Sequence, residues 1–516
     1  MNYSPENIIT KNITSDIGSI FNKGKIGIEK ESLRVRDLRI SKTDQPHKLG
    51  SALCNKYITT DFSEAQLELV TPPFKDKMKA LHFLENIHQF VNLNIDDEIL
   101  WPFSFPPQAN SEKDIRIAQY GKSNAALFKE IYRKGLASRY GRRMQAISGI
   151  HINYSLPPRL LEEISLQERQ HSSSSDHSEI YFRMMRNLYR VNWLILYLFG
   201  ASPILTKDHL NKESKDFKKI DKNTFYLPYA TSLRMSDLGY QNADRVKLEV
   251  STDSIDEYIS DLVDATRTEF KGYKKIGEYK SENFSQLNSN ILQIDDEYYA
   301  IARPKSSNIS DMRLTSKLTN YGVDYIELRS LDLNPFDRNG LDLETIYFIE
   351  LLFLHCLLKT SPKISKDEMK EIRNNDSLVS RTGRKPDLNL SENQKNISLK
   401  SWALRIIEEI SEIAEDMDGT KNIYSESLNN MKKKVLDPDI TLSNKLLDTV
   451  LTEKLDFSEL GNMIGLDNKE YFLKSEKNKN WELLEKEAMS SIVDQRSLED
   501  KDSKTFEEYL GDYFSS

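Results

Sequence analysis

The sequence predicts an α+β fold: short antiparallel-type strands interleaved with amphipathic helices, followed by a mostly helical C-terminal stretch. Three observations predict it. Apolar residues recur at three- and four-residue spacing over 77–93, 114–140 (interrupted), 178–199, 255–273 and 343–358, which is the helical period. Between these runs lie short segments in which apolar and polar residues alternate, the period of a strand with one wet face. From about residue 365 onward the chain is charged and again follows the helical period, as over 399–417, the pattern of outer helices packed on a core. A boundary near Leu390 divides the chain into a core domain, 1–390, and a helical region packed on it, 391–516.

Composition narrows the class of protein. With 516 residues, 38% hydrophobic and 29% charged, the chain can bury a sizeable core. Seventy-two Lys and Arg against 80 Asp and Glu give a net charge of −8, so there is no global attraction to nucleic acid or to an anionic membrane. The two cysteines, Cys54 and Cys356, form neither a disulfide framework nor a zinc motif and read as unpaired thiols in a reducing compartment. The first 25 residues lack the apolar run of a signal peptide, and the longest pure apolar run, 193–199, is too short to span a bilayer. The nearly apolar stretch 346–358 carries Glu350 and His355 and reads as a buried helix. A soluble, cytoplasmic monomer is expected, without nucleic-acid or membrane partners. The stretches 171–177 (HSSSSDH) and 207–222 read as exposed loops.

Four strands carry the chemistry. In 26–35, Glu29 and Glu31 are two apart and share a face. In 60–70, Glu64, Gln66 and Glu68 share a face, with Asp61 at the start. In 148–155 the polar face is His151, Asn153 and Ser155, and in 325–332 it is Glu327 and Arg329. Any one of these is an ordinary half-buried strand. Together they concentrate short acidic groups, a histidine and an arginine on polar faces, where Lys and Thr are more usual. Like charges at Glu-x-Glu spacing repel unless a cation lies between them. Magnesium takes hard oxygen ligands, a few carboxylates with phosphate oxygens completing its shell. Glu29, Glu31, Asp61, Glu68 and Glu327 therefore suit several such ions if the fold brings them together. His151 is either a neutral imidazole ligand or a hydrogen-bonded strand residue. Arg329 is either a partner for a neighbouring carboxylate or the charge that neutralises a transferring phosphoryl group.

Other nucleotide and hydrolase signatures are missing. Gly18, Gly24 and Lys25 have the wrong spacing for a P-loop and are followed by Ile26; no Gly-x-Gly-x-x-Gly, His-Glu-x-x-His or Gly-x-Ser-x-Gly occurs. A carboxylate-lined sheet is one way to bind ATP without a P-loop. Three stretches supply substrate-type groups: 225–240 with Arg234 and Tyr240, 298–305 with Arg303 and Lys305, and Tyr132–Arg133 at the end of a helical run.

These residues resemble the glutamate–cysteine ligases of the proteobacterial class. The likeness is carried by GIEKESLRV (27–35), ITTDFSEAQLELVTPP (58–73), MQAISGIHINYSLP (144–157), LFGASP (198–203), YLPYATSLRMSDLGYQN (226–242), ARPK (302–305) and YIELRSLDLNPF (325–336). Weaker likeness continues through GRKPDLNL (383–390) and LDPDITLS (436–443). The resemblance implies a glutamine-synthetase-like core, a curved antiparallel sheet with helices on its outer face. It implies ATP-dependent ligation of the glutamate γ-carboxylate to cysteine through γ-glutamyl phosphate, the first step of glutathione synthesis. It also implies magnesium, or manganese in its place, held by Glu29, Glu31, Asp61, Glu68, His151 and Glu327. Arg329 would hold the transferring phosphate, and Arg234 with Tyr299 the cysteine carboxylate. Tyr132, Tyr240 and His151 would shape the side-chain pocket. Two alternatives stay open: a carboxylate–amine ligase with another amine acceptor, and a non-catalytic binding protein on the same scaffold.

Overall fold

The computed structural model describes residues 17–167, 174–210, 215–239, 248–276, 285–308 and 312–515. Its main sheet follows a path of six strands: β1 Lys25–Arg36, β2 Ile58–Thr60, β3 Gln66–Val70, β4 Ile150–Ser155, β5 Ala302–Lys305 and β6 Tyr325–Leu331. Their spatial order is β5-β6-β4-β1-β3-β2, with every neighbouring pair antiparallel. Two short pieces, Arg39–Ile40 and Ile99–Leu100, pair with the far end of β1.

Alternation decides which face is which. Ile26 and Ile28 of β1, Leu67 and Leu69 of β3, Ile150, Ile152 and Tyr154 of β4, and Ile326 and Leu328 of β6 are buried on one side. They share an apolar cluster with helices Ser174–Phe199 and Leu343–Leu358. Each such side chain contributes about 1.5–3 kcal/mol of transfer free energy, so slipping any strand by one residue would turn its apolar set into the wet face. Register is therefore fixed, and with it the neighbours on the polar face: Glu31 opposite Glu68, Glu29 opposite His151, Glu327 opposite Asn153, and Arg303 opposite Glu327.

The helix Leu343–Leu358 is buried almost all round, as its composition predicts. Its one internal carboxylate, Glu350, is satisfied from three directions: Lys77 Nζ at 2.8 Å, Tyr154 Oη at 2.8 Å and Tyr424 Oη at 2.7 Å. Lys77 belongs to helix Lys77–Asn92, which starts where the Asp76 side chain accepts from the amides of Met78 and Lys79.

The C-terminal part is helical, as expected. Helices Leu399–Asp418 and Ile423–Leu436 join the main cluster, while Leu442–Glu453 and Phe457–Lys474 close a second one around Trp101 and Phe103. A hairpin of Asn389–Glu392 and Lys395–Ser398 lies where residue 390 falls. Two loop expectations are corrected. Ser174 onward in the serine-rich stretch is already helix, continuous with Phe199, and Lys207–His209 forms one turn of 3-10 helix. Both cysteines are free. Among the described residues no helix is long and apolar enough to cross a membrane.

Candidate active site

The polar face of the sheet forms the floor of a cleft of about 230 Å³. Glu29, Asp61, Glu68, His151, Glu327 and Arg329 all line it. Its walls come from elsewhere: Tyr132, Arg133 and Leu136 from helix Asn124–Tyr140, Gln145 just beyond, and Asp296, Glu297 and Tyr299 from the turn before β5.

At the centre, His151 Nδ1 lies 3.2 Å from both Glu29 Oε2 and Glu327 Oε1, and its Nε2 lies 3.7 Å from Glu31 Oε1. Ligand atoms of Glu29, His151 and Glu327 lie within 4.8 Å of one another. Asn153 Nδ2 donates to Glu29 Oε1 at 2.8 Å, and the Gly149 amide donates to Glu31 Oε2 at 2.8 Å. These bonds set the carboxylates' orientation.

The protonation energetics show excess negative charge. Burial, then the nearby Glu29, Asp61 and Glu31, push the Glu68 carboxyl up to about 8. Burial and Asp61 push Glu31 up to about 7 against the pull of His151, Arg234 and Arg329. Burial and Arg329 disfavour a charged His151, yet its hydrogen bonds to Glu29 and Glu327 hold it up at about 9. Glu327 goes the other way: burial disfavours its charge, but Arg329, Lys305, His151 and Arg303 hold it well below the usual carboxylate range. A cluster that draws protons onto two carboxylates and an imidazole has room for cationic charge. Its donors are mainly hard oxygens, and Glu327 Oε2 is buried without a hydrogen bond, so the residues fit magnesium or manganese.

Cations face this cluster. Arg329 pairs with Glu327. Lys305 Nζ lies 3.6 Å and Arg303 Nη1 3.9 Å from Glu327 Oε2, and both reach Asp296 Oδ1, at 3.0 and 3.3 Å. Arg133 stacks over the Tyr120 ring at 4.7 Å and donates to the Asp61 carbonyl. Carboxylates for divalent ions beside guanidinium and ammonium groups for phosphate oxygens are what a nucleoside triphosphate site needs.

A model of the glutamate–cysteine ligase family matches residues 11–379. The chain belongs to that family. A glutamate–cysteine ligase of Alcanivorax borkumensis is 40% identical over 498 residues, 95% of each chain. One of Pseudomonas entomophila is 39% identical, over 95% of this chain and 93% of that one. The crystal structure of the Francisella tularensis glutamate–cysteine ligase in complex with AMP superposes with a TM-score of 0.90 at 35% identity, covering 96% of this chain and 98% of that one. A bifunctional glutathione synthetase of Pasteurella multocida shares the fold, with a TM-score of 0.71 at 24% identity over 89% of this chain and 54% of that one.

Within this family fold, the sequence-derived residues separate into three groups. Glu29, Asp61, Glu68, His151, Glu327, Arg329, Tyr132 and Tyr299 line the cleft. Glu31 and Arg234 sit behind that lining, each about 2% exposed. Arg234 Nη2 donates to the Arg329 carbonyl at 2.9 Å. Tyr240 lies outside the described residues. Glu64, expected beside Glu68, points elsewhere. The segment between β2 and β3 is a turn, and the Glu64 carboxylate accepts from the amides of Gln45 and Gln119 at 2.8 and 2.9 Å. Alternation fails at Glu64 because it precedes the strand. Sequence reading gave no role to Gln145, which donates to Tyr299 Oη, or to Asp296 and Glu297. Those three sit on connections with no periodic pattern.

Proposed function

We propose that the protein joins the γ-carboxylate of glutamate to the amine of cysteine at the expense of ATP, giving γ-glutamylcysteine, ADP and phosphate, the first step of glutathione synthesis. The observation that carries this reading is the cleft itself. A carboxylate–imidazole cluster and the cations Arg133, Arg303, Lys305 and Arg329 converge in one cavity, in a chain of the glutamate–cysteine ligase family.

Glu29, Glu31, Asp61, Glu68, His151 and Glu327 would hold magnesium, or manganese in its place. When bound, the ions neutralise charge on the phosphate chain. Arg329 is assigned to the transferring phosphoryl group, with Lys305 and Arg303 approaching the same Glu327 carboxylate. In the first step a γ-carboxylate oxygen of glutamate bonds to the terminal phosphorus of ATP and ADP leaves. In the second the cysteine nitrogen attacks the acyl carbon of γ-glutamyl phosphate, phosphate leaves, and the nitrogen sheds a proton. The protein's task in both is alignment and charge neutralisation. Tyr132, Tyr299 and Tyr240 are assigned to the acceptor pocket, with His151 at its floor. Arg234 is assigned the acceptor carboxylate on the family resemblance. Its geometry supports a second task, fixing the Arg329 backbone.

The test is ADP release by purified protein with ATP, magnesium and glutamate, with and without cysteine, and the product identified by mass. Cysteine-dependent release with γ-glutamylcysteine as product is expected. Turnover with a different amine but not cysteine would keep the metal assignment and overturn the acceptor. No turnover with any amine from folded protein would overturn the catalytic reading.

A further inference from the structure

The wall of the cleft that carries Tyr132 and Arg133 is not part of the sheet. It is built from helix Asn124–Tyr140 and the turn Asp295–Glu297. The two are joined to each other: Gln293 Nε2 donates to the Tyr132 carbonyl at 3.2 Å, and Arg139 Nη1 pairs with Glu297 Oε1 at 3.0 Å with both side chains fully buried. Residue 135 must be glycine for this contact, since a Cβ there would lie 2.0 Å from Gln293 Oε1.

The outer side of this wall is covered by the end of the chain. Helix Phe506–Ser515 sets the Tyr513 ring 4.5 Å, centroid to centroid, from that of Phe128, with Tyr509 edge-on at 6.1 Å. Phe128 is one helical turn before Tyr132 and on the same side. Phe128, Ile131, Ile294 and Phe506 share a buried cluster, against which Tyr132 and Tyr513 pack. The Arg313 guanidinium lies 5.9 Å from the Phe514 ring and pairs with Asp295 at 2.6 Å. Hydrogen bonds fasten the start of the same helix. The Asp502 carboxylate accepts from the Asn124 amide and, at 2.6 Å, from Asn124 Nδ2, and the Lys504 carbonyl accepts from Asn124 Nδ2 at 2.9 Å. Glu499 Oε1 accepts from the Lys122 amide at 3.0 Å. Carboxylates at this end also complement the helix dipole.

We infer that the C-terminal segment 499–515 is a clasp that positions the Tyr132–Arg133 wall for the acceptor substrate, with Tyr513 as a positioning residue. This rests on the assignment of Tyr132 to the acceptor pocket. Glu29, Glu31, Glu68, His151, Glu327, Arg329, Arg303 and Lys305 stand on β1, β3, β4, β5 and β6, whose register does not depend on the clasp, while Asp61, on the turn between β2 and β3, is tied to the wall by the Arg133 bond to its carbonyl. Loosening the clasp moves one wall and leaves the strand-borne groups of the floor in place. Acceptor affinity should therefore fall while metal binding is unchanged.

The test uses the full-length protein with Tyr513→Ala, Tyr513→Phe and, as comparator, Tyr132→Ala. Steady-state kinetics give the KM for cysteine, glutamate and ATP together with kcat, and Mn2+ titration by electron paramagnetic resonance reads the floor. For Tyr513→Ala the cysteine KM should rise about 3- to 10-fold, the size of one lost aromatic contact. The kcat should change less than about 2-fold and Mn2+ affinity should stay the same. Tyr513→Phe, which keeps the ring, should restore the cysteine KM. An unchanged cysteine KM in Tyr513→Ala, beside a raised one in Tyr132→Ala, would overturn the clasp alone. An unchanged cysteine KM in both would overturn the acceptor assignment beneath it. A loss in kcat that merely tracks the folded fraction would reduce the segment to a structural role and also overturn the inference.

Discussion

Gly149 and Arg234 share one space: a Cβ on residue 149 would lie 2.0 Å from Arg234 Nη2. The glycine is there because the guanidinium is. Gly149 also exchanges hydrogen bonds with Glu31, its amide to Glu31 Oε2 at 2.8 Å and its carbonyl from the Glu31 amide at 3.1 Å. One residue thus couples a buried carboxylate of the floor to the arginine that holds the Arg329 carbonyl. Gly149→Ala should fold, because the obstructed atom is the far end of a side chain. The cost of overpacking is about 1–3 kcal/mol. Displacing Arg234 should lower kcat/KM by about 100-fold, the penalty of misplacing catalytic groups by roughly 1 Å. Thermal melting beside steady-state kinetics checks this. A melting loss without an activity loss would separate Arg234 from the reaction.

Glu68 sits between function and stability. Burial, with crowding by Glu29, Asp61 and Glu31, raises its pKa to about 8, so ionising it without a cation costs folding free energy. The sign follows from linkage: an acid raised on folding weakens the fold as pH climbs from its unfolded value toward the folded one. Glu68→Gln should therefore melt higher than the parent in chelator by a margin that grows as pH climbs from about 4.5 to about 8 and disappears below about 4.5. The same variant should lose roughly 100- to 1,000-fold or more in turnover, because an amide is a poor magnesium ligand. A variant with near-parental turnover would remove Glu68 from the metal set.

The floor of this site was legible in the sequence because strands encode faces directly. A period of two put Glu29 with Glu31, and His151 with Asn153, before any pairing was known. What sequence lacks is register and turn geometry. The juxtaposition of Glu29 with His151 depends on β1 lying beside β4, which no local pattern states. Glu64 was misread because the strand begins two residues later, at Gln66. The walls were the least legible. Tyr132 and Arg133 lie on a helix of weak amphipathicity, and Asp296 lies on a turn, where apolar periodicity says nothing about which side meets the sheet. Arg234 stood out by its chemistry, but its depth behind Gly149 is a tertiary fact.

The buried carboxylate of helix Leu343–Leu358 offers a test of the scaffold away from the chemistry. Glu350 and Lys77 are about 2% and 4% exposed and 2.8 Å apart. Among the described residues, Lys77→Met would leave Glu350 with the tyrosine hydroxyls of Tyr154 and Tyr424. A buried carboxylate deprived of its cation costs about 3–5 kcal/mol. Adding Glu350→Gln should recover much of that loss, since an amide can accept from one tyrosine through its oxygen and donate to the other's hydroxyl oxygen through its nitrogen without carrying charge. Urea unfolding of the two variants measures both steps. Equal stability of the single and double variants would show that the pair's charge is not what matters at this position.

Metal binding should release protons. Without a cation, Glu31 and Glu68 hold protons at pKa values of about 7 and about 8, and His151 at about 9. At neutral pH these groups are therefore wholly or partly protonated. A divalent ion needs the carboxylates ionised and the imidazole neutral, so its entry must expel the protons that balance the cluster's charge. Apparent affinity for magnesium or manganese should rise as pH climbs through about 7, about 8 and about 9, and level off above. Calorimetric titration in two buffers of different protonation enthalpy would count the protons, with roughly two expected per protein at neutral pH. His151→Asn removes the highest of the three groups and should flatten the upper part of the pH dependence. Proton-free binding with affinity independent of pH would mean that these residues do not hold the ion.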